Sequence, residues 1–149
     1  MIETEELKFR EQLYDIIPFL NEVFTEMPDK GASAKKSFKT LEHNIGRHDF
    51  AVWLQRLNGL PIAFGSGSIV STLSGEVFCD LWLIYARSGA DLKKAFTHFV
   101  CPWAVHQGAT KLRASNCTFT EGKDRWFERF GMEKVYDVYE KELLPCLRT

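Results

Sequence analysis

The dipeptide Asn58-Gly59 joins two apolar runs and constrains the fold more than any other feature of this chain. The run before it, Phe50–Leu57, and the run after it, Leu60–Ser71, both have the composition of β-strands. Asn-Gly strongly favours a two-residue hairpin turn, because both of its residues accept a positive φ. A third run, Glu76–Tyr85, follows the turn signal Ser74-Gly75. The chain therefore predicts an antiparallel three-stranded meander at its centre.

A long helix with one apolar face is predicted after the meander. It begins near Gly89 and Ala90 and ends at Gly108. Pro102 lies inside the helix and is expected to kink it, because proline has no N–H to donate. The buried face is marked by apolar residues at helical spacing: Leu92, Ala95, Phe96, Phe99, Trp103 and Ala104. A short strand, Lys111–Asn116, follows, and a strand–helix–strand unit of this kind is parallel and right-handed.

The N-terminal segment predicts one strand and two helices. Leu7 and Phe9 alternate with charged residues, which indicates a strand that faces water on one side. Asp15 is placed to cap a first helix, and Ser33 is placed to cap a second. These elements precede the meander.

The C-terminal segment predicts a short helix, Lys123–Phe130, and a last strand, Lys134–Leu143. The whole order is then β-α-α-β-β-β-α-β-α-β. This is an α+β fold, with a central, mostly antiparallel mixed sheet, one parallel βαβ unit and helices on both faces.

Composition excludes several classes of protein. A length of 149 residues predicts a single domain spanning residues 1–149. The chain carries 19 Lys and Arg against 20 Asp and Glu. The net charge of −1 argues against a dedicated nucleic-acid-binding protein. No apolar run approaches the roughly 18 residues that span a membrane. The acidic N-terminus does not resemble a signal peptide, so the cytoplasm is the expected location.

Two chemically suggestive clusters have structural interpretations. His98, Cys101 and His106 could suggest a metal site, but eight positions rotate the second histidine about 80° around a helix, and no fourth ligand is evident. No metal is predicted. The segment Gly65-Ser66-Gly67-Ser68 has the composition of a phosphate loop, but no helix follows it, and we interpret it as a bulged or edge strand segment. The cysteines are widely spaced and predicted to be reduced: Cys79, Cys101, Cys117 and Cys146.

The order of elements and three local stretches resemble the GNAT N-acetyltransferases. Residues 125–133, Arg-Trp-Phe-Glu-Arg-Phe-Gly-Met-Glu, are similar to the closing signature of that family. Residues 103–109, Trp-Ala-Val-His-Gln-Gly-Ala, are similar to the end of its central helix, and Asp15 is similar to the acidic residue that opens its first helix. The resemblance implies an acetyl-CoA-dependent N-acyltransferase. Its acceptor substrate would be a small-molecule or peptide amine. A homodimer is one form that the resemblance allows.

In this family a Q/R-x-x-G-x-G/A loop after the third meander strand binds the coenzyme A pyrophosphate through backbone N–H groups. Here the matching stretch leads with Arg87, and Ala90 and Leu92 then stand in the glycine positions. Counting back from the end of the helix puts Asp91 and Lys93 there instead. Asp91 also has a simpler interpretation as a helix cap. The cofactor contacts implied by the resemblance are Leu83, Ile84, Arg87, Ser88, Gly89, Ala90, Asn116 and Phe127.

Acetyl transfer needs a base for the amine and a proton for the departing thiolate. Asp80 resembles by position the strand carboxylate that some family members use as base, although a paired structural carboxylate is an alternative. Active members commonly carry a tyrosine where this chain has Phe127, and Tyr85 is an alternative proton donor. Strand alternation predicts two opposite sets: Phe78, Asp80, Trp82 and Ile84 on one face, and Cys79, Leu81, Leu83 and Tyr85 on the other.

Two hypotheses about function follow. The first is an active N-acetyltransferase with an atypical pyrophosphate loop. The second is a GNAT-like binding or structural protein without catalysis. Chains that keep the closing signature but have an eroded loop resemble small proteins of tailed phages, including virion and host-interaction components. For such a protein the expected location is the virion or the host cytoplasm.

Overall fold

A six-stranded sheet runs through the computed structural model of the chain, which describes residues 1–26, 34–114, 118–119 and 123–133. The strands are β1 (Ile2–Leu7), β2 (Phe50–Leu57), β3 (Leu60–Ser71), β4 (Val77–Ala86), β5 (Lys111–Arg113) and β6 (Thr118–Phe119). A 3-10 helix, Arg10–Ile16, leads into α1 (Ile17–Glu26), and α2 is Ala34–Asn44. The segments α3 (Leu92–Ala95), a π-helical turn (Phe96–Val100) and α4 (Cys101–His106) form one continuous central helix, and α5 is Lys123–Arg129.

The sheet has the order β1-β2-β3-β4-β5, and β6 pairs with β4 beyond the end of β5. Neighbours from β1 to β4 are antiparallel, whereas β5 and β6 are parallel to β4. Asn58 and Gly59 have φ angles of 50° and 84°, as the predicted hairpin turn requires. The mixed sheet, the meander and the parallel βαβ unit are therefore confirmed.

Two hydrophobic cores lie on opposite faces of the sheet. One, on what we call the α1 face, packs the 3-10 helix, α1 and α2 against the sheet, with Leu13, Phe19, Leu41, Val52 and Phe64 among its residues. The other, on the central-helix face, includes Trp53, Cys79, Phe96 and Val100, with α5 packed against it. Helices on both faces are thus confirmed.

A β-bulge interrupts β4. Ser66 of β3 pairs with Leu83, but the next residue, Gly67, pairs with Leu81, so Trp82 is an extra residue on β4. The central-helix core contains Cys79, Leu81 and Ile84, whereas the α1 core contains Leu83 and Tyr85. The predicted alternation is correct as far as Trp82, which packs against the α1 core, and wrong from Leu83 onwards, because one extra residue exchanges the two faces.

The bulge has a consequence for the two predicted catalytic residues. Asp80 lies between Cys79 and Leu81 and therefore points to the α1 face. Tyr85 belongs to the core of the same face. Alternation alone had put these two side chains on opposite faces.

The segment Gly65-Ser66-Gly67-Ser68 lies inside β3, between β2 and β4. Of the two predicted alternatives, the edge segment is therefore wrong, whereas the bulged segment is borne out by the register shift between Ser66 and Gly67. A Cβ on Gly65 would lie 2.3 Å from the Trp53 ring, so the absence of a side chain makes room for this indole.

The N-terminal predictions need correction. β1 ends at Leu7, and Phe9, which is 65% exposed, precedes a 3-10 helix. Asp15 lies within that helix and does not cap α1, since its carboxylate accepts a hydrogen bond from Arg56 Nη2 of β2 at 2.9 Å. The predicted cap Ser33 lies outside the described residues.

The predicted disturbance of the central helix is present as a π-helical turn directly before Pro102. The N–H of Cys101 donates to the carbonyl of Phe96, five residues back. Gly108 follows the helix with φ of 91°, which confirms the predicted end. No described helix is long and apolar enough to cross a membrane.

At the C-terminal side, β5 is shorter than predicted and ends at Arg113. The strand β6 lies between the predicted strand Lys111–Asn116 and the predicted helix Lys123–Phe130, where the sequence predicts no strand. The helix α5 begins at Lys123 as predicted, and Gly131 follows it with φ of 90°. The predicted last strand, residues 134–143, lies outside the described residues.

Candidate functional site

A tight turn connects β4 to the central helix. The N–H of Arg87 donates to the Ile62 carbonyl at 2.9 Å, and that of Ala90 donates to the Arg87 carbonyl at 3.1 Å. Ser88 and Gly89 are the two central residues, and both are exposed. Gly89 has φ of 94°, which side chains other than glycine adopt only with strain. The turn itself therefore requires this glycine.

The start of the central helix is fixed to the sheet by a buried amide. Asp91 caps the helix, since its Oδ1 accepts from the N–H of Lys94 at 3.0 Å. Gln55 of β2, which is 0% exposed, donates from Nε2 to the Asp91 carbonyl at 2.9 Å and accepts the Asp91 N–H at 2.8 Å. The side chain of Gln55 thus satisfies both backbone groups of the capping residue. The capping interpretation of Asp91 is confirmed.

Some N–H groups of this loop are used internally and others remain available. Those of Ala90 and Asp91 bond to the Arg87 carbonyl and to Gln55. In the part of the chain that the structure describes, no acceptor is bonded to the N–H groups of Ser88, Gly89, Leu92 and Lys93. Because they lie at the N-terminus of a helix, these groups attract anions. The exposed ammonium groups of Lys93 and Lys94 add positive charge.

Arg87 and Tyr85 both bond to one carboxylate of α1. Arg87 Nε donates to Glu22 Oε2 at 3.1 Å, and Arg87 Nη2 donates to Glu22 Oε1. The Tyr85 hydroxyl donates to Glu22 Oε2 at 2.9 Å. The hydrogen bond from Arg87 lowers the pKa of the Glu22 carboxyl, burial opposes this, and Tyr85 adds to it. The same contact raises the pKa of Arg87.

Asp80 lies in the middle of β4 and is half-buried. It is in register with Ser68 of β3 and with Arg113 of β5. Arg113 in turn pairs with the carboxylate of Glu76, and its Cζ lies 4.1 Å from the centroid of the Phe78 ring. The residues in register with Asp80 on the two neighbouring strands therefore carry a hydroxyl group (Ser68) and a guanidinium group (Arg113).

The strand β6 covers the edge of β4 at two predicted cofactor contacts. Leu83 pairs with Thr118, and Ile84 pairs with Phe119, in parallel. Leu83 and Ile84 are each 1% exposed. A ligand that used the backbone of β4 at this point would have to displace β6.

Phe127 lies on α5, on the central-helix face, and is therefore on the other side of the sheet from Asp80. Its ring centroid is 5.6 Å from that of Trp126, which also contacts Phe96 at 5.0 Å. The phenylalanine is half-buried in this aromatic group and has no proton to donate. Asn116, the remaining predicted contact, lies outside the described residues.

The structure thus gathers five of the predicted site residues at the C-terminal end of β4: Tyr85, Arg87, Ser88, Gly89 and Ala90. Sequence reasoning missed two partners of this group. Gln55 carries a detectable signal, since it is a polar residue within an apolar strand, whereas Glu22 is an ordinary polar position of an amphipathic helix. Among the described residues, no group of three or more His, Cys, Asp or Glu is arranged to hold a metal ion.

Comparison with known proteins gives a fold assignment. No protein-family model matches the chain, and no curated protein sequence matches it. Among solved structures, a predicted acetyltransferase from Clostridium acetobutylicum with acetyl-CoA superposes with a TM-score of 0.70, covering 97% of this chain and 98% of that chain at 11% identity. A ribosomal-protein-alanine N-acetyltransferase from Brucella melitensis also gives 0.70, covering 95% and 99% at 14% identity.

A glucosamine-6-phosphate N-acetyltransferase from Arabidopsis thaliana gives a TM-score of 0.65, covering 95% of this chain and 98% of that chain at 15% identity. At identities this low, the superpositions show a common fold alone, and any activity has to be argued from the residues of the site. The chain therefore has the fold of the GNAT acetyltransferases.

Proposed function

We propose that the protein is an acetyl-CoA-dependent N-acyltransferase that binds the cofactor at the C-terminal end of β4 and transfers its acetyl group to an amine. One observation carries the proposal: the likeness in fold, over 97% of the chain, to an acetyltransferase that holds acetyl-CoA. The turn and helix after β4 then supply groups suited to the phosphates.

The phosphate end of the cofactor fits the residues of this loop. Four N–H groups are available for an anion, and the three cations Arg87, Lys93 and Lys94 outnumber two carboxylates, that of Asp91 and that of the Glu22 bonded to Arg87. The Cβ of Ala90 is small enough for a phosphate to approach the backbone. We therefore assign phosphate binding to residues 87–93, with Arg87 as the cation at the turn.

The arm of the cofactor fits less well. An extended arm with two amides would bind most simply along the backbone edge of β4 at Leu83 and Ile84. That edge is paired with β6. Binding in this mode therefore requires β6 to separate from β4.

Bound acetyl-CoA would supply the acetyl group as a thioester. We assign to Asp80 the role of accepting a proton from the amine, because it lies on the α1 face of β4 with only partial burial. Tyr85 on the same face is the candidate proton donor, but in this structure its hydroxyl donates to Glu22. Phe127 contributes packing alone.

The first test is a titration of acetyl-CoA followed by heat or thermal stability. A ligand at a hundredfold excess over its Kd raises the unfolding free energy by about 2.7 kcal/mol. We expect Arg87→Ala to weaken binding. No stabilisation by millimolar acetyl-CoA would contradict the proposal.

The second test is release of free coenzyme A thiol with three amines suggested by the similar structures: glucosamine 6-phosphate, an aminoglycoside and a peptide with N-terminal alanine. We expect Asp80→Asn to lower kcat by about 10²-fold or more, with acetyl-CoA affinity unchanged. Asp15→Asn, which removes a carboxylate paired with Arg56 outside this site, is the matched control.

A second candidate is a GNAT-fold binding or structural protein without catalysis, such as a virion or host-interaction component. Three observations favour it: β6 closes the β4 edge, Glu22 engages Arg87, and Phe127 replaces a proton donor. Binding of acetyl-CoA without transfer to any amine would support this alternative.

A further inference from the structure

Three donors converge on the carboxylate of Glu22. They are Nε and Nη2 of Arg87 and the hydroxyl of Tyr85. Two parallel N–H donors of one guanidinium are the arrangement by which arginine binds either a carboxylate or a phosphate. Glu22 therefore occupies a site that has the chemistry of a phosphate site.

The cationic side of this site is held in place independently of Glu22. The Cζ of Arg87 lies 4.4 Å from the centroid of the Phe19 ring, and Phe19 is 1% exposed. The Tyr85 ring packs 5.6 Å from the same phenylalanine. The backbone N–H of Arg87 is bonded to the Ile62 carbonyl at 2.9 Å. Removal of the carboxylate alone would leave the guanidinium and the phenol positioned.

Glu22 is the partner that can leave. It belongs to α1, whereas Arg87 and Tyr85 belong to the end of β4 and its turn. The side chains of Glu22 and Arg87 are 39% and 41% exposed. Ion pairs with this much exposure contribute little net stability, because water screens both charges. A phosphoryl group with greater charge can therefore compete for Arg87.

We infer that Glu22 is an internal anion that occupies the Arg87–Tyr85 site until a phosphoryl group of the ligand displaces it. The identity of that ligand as a coenzyme A ester rests on the proposed function.

The test compares Glu22→Gln with Glu11→Gln. Both remove one negative charge, but Glu11 is exposed and lies on the 3-10 helix, away from this cluster. The probes are inorganic pyrophosphate and coenzyme A, titrated separately by calorimetry at low ionic strength. We expect Glu22→Gln to bind both about fivefold more tightly than the wild type, and Glu11→Gln to stay within about twofold. Circular dichroism checks that each variant is folded.

Arg87→Ala completes a double-mutant cycle with Glu22→Gln. In the Glu22→Gln background it should abolish the gain, because the gain depends on the released guanidinium. The inference is overturned if Glu22→Gln and Glu11→Gln bind pyrophosphate with equal affinity, or if neither variant binds it. This holds even if the wild type uses acetyl-CoA. A gain for pyrophosphate without binding of coenzyme A supports the inference and removes the proposed function.

Discussion

Gly65 determines where the indole of Trp53 lies. An added Cβ would be 2.3 Å from Cζ2 and 2.5 Å from Cε2 of that ring, far inside van der Waals contact. The ring is 1% exposed and packs edge-on against Phe96 of the central helix at 5.9 Å. Since the indole is enclosed, it cannot move aside without disturbing the central-helix core.

We predict that Gly65→Ala lowers the unfolding free energy by about 1–3 kcal/mol through overpacking. Gly67→Ala should cost less, because its Cβ would meet Cys79 Sγ at 3.1 Å. Urea denaturation measures both. Trp53→Phe should cost less in the Gly65→Ala background than in the wild type, because the two changes are coupled. Additive costs would contradict this packing.

We predict that the thiol of Cys79 does not react with thiol reagents in the folded protein. Burial raises its pKa to about 12, with smaller contributions from Asp80 and Cys101. At pH 8 a thiol with pKa of about 12 is ionised in about one molecule in 10⁴, against roughly one in four for an ordinary cysteine. In a Cys117→Ser, Cys146→Ser protein we expect a thiol reagent to label Cys101 and spare Cys79.

Denaturation provides the control for this labelling experiment. In urea both remaining thiols should react, and in the additional variant Cys79→Ser only one should. Fast labelling of Cys79 in the folded protein would mean that the side chain is not enclosed between β3 and the central helix.

At the scale of elements, the central helix shows how a local rule and a tertiary contact combine. Pro102 cannot donate to the carbonyl of His98, four residues earlier, so the regular hydrogen-bond pattern must be interrupted there. The sequence predicts this interruption. Its form is a π-helical turn at Phe96–Val100, and Phe96 in this turn packs between Trp53 of β2 and the end of α5.

The N-terminus of the same helix gives an element-scale prediction. Asp91→Ala should lower the unfolding free energy by about 0.5–2 kcal/mol, because the N–H of Lys94 loses its acceptor. Asp91→Asn keeps an equivalent cap and should cost much less. Thermal or urea unfolding separates the two, and equal losses would show that the charge, rather than the cap, stabilises the helix.

β4 shows the limit of pattern reasoning for a single strand. Its apolar composition predicts the strand to within one residue, since Glu76–Tyr85 was expected and Val77–Ala86 is observed. The bulge at Trp82 has no signature in the local sequence, because it is a mismatch between β4 and β3. That mismatch puts Asp80 and Tyr85 on one face.

At the scale of the whole molecule, Glu22 connects α1 to the end of β4, and this connection should depend on pH. Arg87, and after it Tyr85, favour the charged carboxylate, so its pKa in the folded state lies below the unfolded value. The stabilisation is complete above the unfolded pKa of about 4.3 and is lost as pH falls through the folded value.

The unfolding free energy of Glu22→Gln should therefore fall furthest below that of the wild type near neutral pH. The difference should shrink as the pH falls below the unfolded pKa of about 4.3, because the unfolded carboxyl takes up a proton first and the folded one, whose pKa is lower, follows. Urea titrations between about pH 3 and pH 7 measure it, with Glu11→Gln as control. A difference that does not change with pH would indicate that the ion pair with Arg87 contributes nothing.

The sequence by itself determined the meander, the hairpin at Asn58-Gly59, the parallel βαβ unit and the cap at Asp91, because each depends on periodicity or on residues within a few positions of one another. The tertiary structure decided what surrounds the candidate site. Glu22 meets Tyr85 and Arg87 across 63 and 65 residues, and β6 pairs with β4 across a helix. Contacts at that separation depend on how the sheet twists, bulges and packs, and no local pattern records them.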